Sequence, residues 1–252
     1  MYKTLHGLVL REVVYKESSK ILTILTEEEG KVTAEAKGVL RKGSRSAGAA
    51  QLLTYSEMTF SEYRGRLTLT EGSVLEDFSA LRADIENYSL GCYFAELLET
   101  VADEDHPVSA LLHLALNALF ALSRGLYAPE HIKACFELRL MCLAGFEPQS
   151  ERCCVCGRED VPFPRLSLTA GGIHCTDCAP DTPGRSMPLC AASLAAVRHI
   201  CHADAKRIYS FTMEPDGEKR LSAAAEDYVL TQLDRGFRTL DYWKSINHKI
   251  IM

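Results

Sequence analysis

Two cysteine pairs, Cys153-x-x-Cys156 and Cys175-x-x-Cys178, stand 18 residues apart and pose the first chemical question. Each pair offers two thiolates about one turn apart, and folding the hairpin between them gathers four sulfurs into the tetrahedron that zinc prefers. The spacing is that of a zinc site built from two knuckles. Gly157 follows the first pair and Gly171-Gly172 precedes the second, which permits the tight backbone of such knuckles. Cys154 adds a fifth thiol beside the first ligand, and His174 precedes the second pair, so either can compete for the metal. A redox dithiol and a metal-free segment are the alternatives. A catalytic zinc fits less well, because such sites combine histidine or carboxylate ligands with an open position for water. The expectation is one structural zinc on Cys153, Cys156, Cys175 and Cys178, whose binding energy helps fold its segment.

A second constellation is basic. In the loop from Lys37 to Arg45, Lys37, Arg41, Lys42 and Arg45 alternate with glycine and serine that leave the backbone accessible. Such clusters release counterions from a phosphate backbone and give affinity that does not depend on base sequence. Arg64 and Arg66 extend the basic stretch, so that residues 37 to 66 hold six bases against Glu57 and Glu62. Taken alone, the loop reads more readily as an ordinary solvated surface, and its place between two strands of a possible OB barrel favours the nucleic-acid reading. Tyr55, Phe60 and Tyr63 are candidates to stack bases, although aromatics on alternating strands more often face a core. Nothing resembles a recognition helix for the major groove, so no sequence specificity is expected.

Catalytic motifs are absent: the chain has no G-x-x-x-x-G-K-[ST] loop, no G-x-S-x-G, no H-E-x-x-H and no glycine fingerprint after a strand. The acidic runs Glu27-Glu28-Glu29 and Asp103-Glu104-Asp105 read as solvated surface, and the eight histidines have no partners at ligand spacing. The expectation is a protein that is not an enzyme.

The elements that position these residues follow from periodicity. Strand signals run from Leu8 to Tyr15, Lys20 to Leu25, Lys31 to Ala36, Gln51 to Tyr63 and Leu67 to Thr70, separated by turns at Glu29-Gly30, Gly43-Ser44 and Arg64-Gly65. Five strands in about 80 residues suit a small closed barrel, and an SH3-like barrel fits the count nearly as well as the oligonucleotide-binding (OB) barrel. From Ser79 the period turns helical. Asp77 or Ser79 caps a helix presenting Leu81, Ile85, Tyr88, Cys92, Leu97 and Val101, which ends at the acidic break Asp103-Glu104-Asp105-His106. Pro107 starts a second helix that stops at Gly125, and Pro129 opens a third that Gly145 terminates. These three are expected to form one bundle. Residues 151 to 188 are too poor in apolar residues to build a core, and helical signals resume at Ala191 to His202 and Lys219 to Leu240.

Composition bounds the rest. With 252 residues, 47% hydrophobic, the chain can bury a sizeable core. The formal charge of −6 conceals an uneven distribution: bases and acids number 11 and 11 over residues 1 to 80, 4 and 10 over 81 to 150, and 13 and 13 beyond. A basic surface therefore survives an acidic total. The apolar stretch from Ala110 to Leu122, interrupted by His113 and Asn117, falls short of the roughly 20 residues of a membrane span, and the start carries no signal core. A cytoplasmic location follows, and with it free thiols in place of disulfides. Cys92, Cys135, Cys142, Cys190 and Cys201 lie among apolar residues and read as buried small hydrophobes.

The stretch Phe136-Glu137-Leu138-Arg139-Leu140, continuing through Gly145-Phe146-Glu147-Pro148 to Cys153-Cys154-Val155-Cys156-Gly157, resembles the helix-to-zinc junction of the RecO recombination mediator family. Leu8-Val9-Leu10-Arg11, Glu17-Ser18-Ser19-Lys20-Ile21-Leu22, Glu29-Gly30-Lys31 and Ala36-Lys37-Gly38 resemble that family's N-terminal barrel, so the likeness spans nearly the whole chain. It implies an α+β multidomain protein: a five-stranded OB-type barrel over 1–79, a helical bundle over 80–150, a zinc-finger segment over 151–187, and helices over 188–252 completing the helical domain. It also implies binding of single-stranded and double-stranded DNA, annealing of complementary strands, and cooperation with RecR and single-strand binding protein in loading RecA, at the nucleoid during repair. The DNA-contacting role then falls on Lys37, Arg41, Lys42 and Arg45, with Arg64 and Arg66 as weaker candidates. Arg139 matches a family position where an ion pair or a DNA contact is expected. The alternative is a zinc-ribbon adaptor that binds only proteins.

Overall fold

The computed structural model describes residues 1–103, 108–178 and 184–250. Five strands open the chain: β1 (Tyr2–Tyr15), β2 (Ser19–Thr26), β3 (Gly30–Ala36), β4 (Tyr55–Tyr63) and β5 (Arg66–Glu76). They close into a barrel in the order β1-β2-β3-β5-β4, with β4 returning antiparallel to β1. The closure between β3 and β5 is parallel and short, Ala34 facing Leu67 and Glu35 facing Thr68. That order selects the OB barrel over the SH3-like alternative.

Alternation explains why these residues form this barrel. Leu22 and Ile24, Val32, Ala34 and Ala36, Met58 and Phe60, and Leu67 and Leu69 all point inward from their strands. Val39 and Ala50, from the loop between β3 and β4, join the same cluster and plug one end. β1 serves two neighbours: its first half pairs with β4 and its second with β2, and the register shifts between Val9 and Arg11. Such a bulge bends the strand and lets one long element turn the corner of the barrel.

Six helices follow: α1 (Ile85–Val101), α2 (Ser109–Arg124), α3 (Pro129–Leu143), α4 (Ala191–His202), α5 (Pro215–Gln232) and α6 (Arg238–Ile250). Residues Ser79–Ala83, expected to begin the first helix, form a separate 3-10 turn, and the cap of α1 is Asp84, whose carboxylate accepts from the backbone of Glu86 and Asn87. Ile85, expected on the buried face, is exposed. The helix break at Asp103-Glu104-Asp105-His106 and the start at Pro107 lie outside the described residues, save for Asp103. Gly125 and Gly145 stop α2 and α3 in left-handed conformation, as expected. After α3 the Phe146 N–H returns to the Met141 carbonyl and the Gly145 N–H to that of Cys142, a Schellman ending. The helical run expected from Lys219 to Leu240 is broken into α5 and α6 by a turn in which Asp234 takes a positive φ of 49°.

The helices divide between two compact units, residues 1–124 with 237–252, and residues 125–236. The bundle expected over 80–150 is thus parted after Arg124. In the first unit α1 and α2 lie on β2 and α1 also on β1, while α6 returns to α1, where Tyr93 and Phe237 meet edge to face with centroids 5.7 Å apart. In the second, α3 runs through the middle with α4 and α5 beside it, and it is buried nearly all round. Its Lys133, fully buried, lies 2.9 Å from both Glu137 and Glu226. A small sheet, β7 (Ile173–His174), β6 (Arg165–Ser167) and β8 (Ser186–Pro188), completes this unit.

Candidate functional site

The cysteine segment folds as two turns held by backbone hydrogen bonds. Gly157 N–H donates to the Cys153 carbonyl at 2.9 Å, with Gly157 at φ 72°, and Cys178 N–H donates to the Cys175 carbonyl at 3.1 Å. Sheet residues bring the turns together: Cys154 N–H donates to Ile173 O, and Ile173 N–H to Gln149 O. As a result the Sγ atoms of Cys153, Cys156, Cys175 and Cys178 all lie within 4.8 Å of one another, with Cys156 and Cys175 at 3.8 Å. A tetrahedron of sulfurs about 2.3 Å from a central zinc has edges of about 3.8 Å, so this donor set fits a metal ion of that size.

Electrostatics favour a cation at the same point. Burial acts to raise the Cys153 thiol, but the backbone N–H groups of Cys156, Cys175 and Val155 converge on it and bring it down to about 6. Burial and hydrogen bonding with Cys153 and Cys156 push Cys175 up to about 11. The hydrogen bond to Cys156, together with burial, pushes Cys178 up to about 12. Four thiols this close resist joint ionisation, which is the strain a bound cation relieves.

The two expected competitors stand apart. Cys154 is exposed and lies against Gly172, and it does not share the cluster. The buried His174 ring turns its Nδ1 to the carbonyls of Cys175 (2.9 Å) and Cys178 (2.8 Å) and its Nε2 to Ser186 Oγ (2.9 Å). Two carbonyls accept only, so Nδ1 carries a proton and donates to them. His174 braces the second knuckle from outside the donor set, a role that sequence spacing alone does not signal.

On the barrel, the loop Lys37 to Arg45 is anchored at its root. Leu40 N–H donates to Ser18 O at 3.0 Å and Gly38 N–H to Ser19 Oγ at 3.2 Å, so the loop rests on the turn between β1 and β2. Lys37, Arg41, Lys42 and Arg45 are all exposed, and Lys37 lies 3.9 Å from Glu35. A hollow of about 160 Å³ between the loop and β5 is lined by Lys37, Ser44, Arg45, Ser46 and Thr70 among others. Lys16, which the sequence reading did not single out, joins this group at the tip of the β1–β2 turn, with φ 57° and its ammonium 4.7 Å from the Tyr15 ring centre. Its signal was its place in the first inter-strand turn, one of the binding loops of OB folds.

Arg64 and Arg66 are exposed too, but on the β4–β5 turn. Pairing of Leu67 with Ala34 sets Arg66 level with Thr33, four residues along β3 from Lys37, or about 13 Å. They form a second basic point. Among the aromatic candidates Phe60 is core, Tyr55 is half-buried and Tyr63 is 70% exposed, with the Arg64 guanidinium 5.2 Å from its ring centre. Arg139 is neither ion-paired there nor free, because its guanidinium donates to the carbonyls of Ile200 and Cys201.

Comparison with known proteins agrees with this architecture. The family model described as Recombination protein O N terminal matches residues 1–78, and that described as Recombination protein O C terminal matches residues 82–241. The chain is similar to the DNA repair protein RecO of Acetivibrio thermocellus, 28% identical over 98% of both chains. It is similar to that of Listeria monocytogenes serotype 4b (strain CLIP80459), 30% identical over 96% of each. Against the RecO of Anaeromyxobacter sp. (strain K) it is 37% identical over 78% of each.

Proposed function

Since the chain belongs to the RecO family of DNA repair proteins, we propose that it is a recombination mediator that binds DNA on the barrel and works without catalysing a reaction. In this reading it binds single-stranded and double-stranded DNA, anneals complementary strands and, with RecR, helps load RecA on DNA coated by single-strand binding protein. The observation that carries the reading is the gathering of Lys16, Lys37, Arg41, Lys42 and Arg45 at the end of an OB-type barrel, all exposed. Phosphate contacts of this kind bind strands of any sequence, which suits a mediator. Its place of action is the cytoplasm, at the nucleoid. Among the described residues no helix is long and apolar enough to cross a membrane.

One structural zinc occupies Cys153, Cys156, Cys175 and Cys178 in this reading, supplying a crosslink to a segment without a core of its own. All four donors are thiolates, so the ion has no open position for substrate. The chain's own part is to hold the sulfurs in place through the Gly157 turn and the His174 brace.

The test is binding of a fluorescent single-stranded oligonucleotide across a salt series, comparing the chain with Arg41→Ala/Lys42→Ala/Arg45→Ala. Loss of three contacts should flatten log K against log salt by about 2 units. Indistinguishable slopes would remove the DNA from this loop and favour the protein-binding adaptor.

A further inference from the structure

The outer face of the barrel carries an aromatic ring at the edge of the basic loop. Along β2, Leu22 and Ile24 point into the barrel, so Ser19 and Ile21 point out. Antiparallel pairing sets Tyr15 opposite Ser19 and Val13 opposite Ile21, and residues directly opposite share a face. Tyr15 therefore stands outside the barrel. Ile21 in turn pairs with Glu35 of β3, so Lys37, two residues on, comes level with Ser19 and Tyr15, about 10 Å from the Tyr15 backbone. Glu35 and Lys37 share that outer face, with their charged groups 3.9 Å apart.

Two different structures cover the two ends of this face. Farther back on β1, Arg11 Nε lies 3.1 Å from Glu99 of α1, four residues or about 13 Å from Tyr15. At the Tyr15 end the basic loop takes the place of the helix. Gly38 N–H donates to Ser19 Oγ and Leu40 N–H to Ser18 O, while Val39 between them is buried in the barrel core. The loop is thus fixed beside the ring, and the side chains of Tyr15 and Leu40 stay 41% and 45% exposed. The Lys16 ammonium, 4.7 Å from the ring centre, adds a cation to the aromatic surface.

An exposed ring beside cations can do what the cations alone cannot. Lysine and arginine bind the phosphates of single and double strands alike. A ring offers a π-face, and an unpaired base has a matching face to lay on it, whereas a base within a duplex already has both faces covered by its neighbours. We propose that Tyr15 is the stacking subsite for one unpaired nucleobase, with Leu40 as its apolar rim and Lys16 and Lys37 engaging the flanking phosphates. The subsite depends on the proposed placement of DNA on the basic loop and adds to it a preference for single strands.

The test measures the affinity of the full-length, zinc-loaded chain for a fluorescent oligothymidylate and for a fluorescent duplex, each across a salt series. Tyr15→Ala should weaken the single strand by at least about fivefold, the lower end of what one stacked base contributes. Its duplex affinity should stay within about twofold, and its salt slope should match that of the unaltered chain, because the ring neutralises no phosphate. Tyr15→Phe, which keeps the ring, should restore single-strand binding. Tyr242→Ala, at an exposed tyrosine of α6, is the control and should change neither affinity. If Arg41→Ala/Lys42→Ala/Arg45→Ala flattens the salt dependence while Tyr15→Ala still binds the oligothymidylate like the unaltered chain, DNA stays on the loop and the stacking subsite is refuted. Equal losses on single strand and duplex in Tyr15→Ala would refute it too, since the residue would then only support the loop. A triple variant indistinguishable from the unaltered chain would remove DNA from the loop altogether, and Tyr15 with it.

Discussion

Lys20 Nζ lies 2.7 Å from Glu12 Oε2 and 3.2 Å from the Ala50 carbonyl, so an ion pair on the β1–β2 hairpin holds the far end of the β3–β4 connection. Glu12 Oε2 also accepts from the Leu52 backbone at 3.2 Å. The side chain of Lys20 is only 11% exposed. Lys20→Ala should therefore cost about 2 kcal/mol, because Glu12 and the Ala50 carbonyl lose a charged donor together. Urea unfolding with an unchanged slope and a lowered midpoint checks this, and a midpoint equal to wild type would show that the connection stands without the pair.

His6 supplies a pH dependence. The hydrogen bond to Glu28, with further attraction from Glu28 and Glu57 and against the effect of burial, raises its pKa above 6.5. For a base raised on folding, the stabilisation is fully present below the unfolded value and lost as pH rises through the folded one. His6→Gln should thus destabilise the chain at pH 5.5 and be nearly neutral at pH 8.5. The imidazole is more than a third exposed, so solvent screening keeps the difference under about 1 kcal/mol. The opposite trend in thermal melts would contradict the assignment.

Metal content separates the cysteines. Elemental analysis should find one zinc per chain, retained in Cys154→Ser and lost in Cys178→Ser. His174→Ala, which leaves all four sulfurs in place, should weaken zinc by about 10- to 100-fold in competition with a chelator. Unchanged affinity would mean that the imidazole does not orient the second knuckle.

Gly7 marks a tight crossing inside the barrel. A Cβ at this position would meet Ile24 Cγ2 at 2.5 Å and the Leu25 carbonyl oxygen at 3.0 Å. Gly7→Ala should cost about 1–3 kcal/mol by overpacking. Gly236→Ala, where nothing lies within 4 Å, is the control and should stay within about 0.5 kcal/mol in the same denaturation series.

What the sequence disclosed, and what it withheld, divides along local and distant interactions. Strand alternation was legible because the interior takes every second residue, as in Val32, Ala34 and Ala36. The same parity separates the buried Phe60 from the exposed Tyr63, three positions on. The closure of β3 on β5 was not legible, since two residue pairs join segments about 30 positions apart with no local mark. The four sulfurs were readable from spacing, whereas the His174 brace depends on carbonyl directions that only the folded turn creates. Helix ends signalled by glycine were found, but the turn between α5 and α6 passes through Asp234, and the helical pattern concealed it. Lys133 is the extreme case. Glu137 at the next turn was in view, but Glu226 lies 93 positions away in sequence.

Phe237 belongs to the first unit although 112 residues of the second precede it in the chain. During synthesis from the N-terminus the barrel and its first two helices emerge early, yet Tyr93 waits for a ring that is made only after the whole of the second unit. The N-terminal unit can therefore reach its finished packing only after the second unit has been made. A message cut short anywhere in the second unit yields a chain with an uncovered aromatic surface on α1, open to chaperones and proteases, so the closing helix acts as a molecular receipt for translation through the second unit.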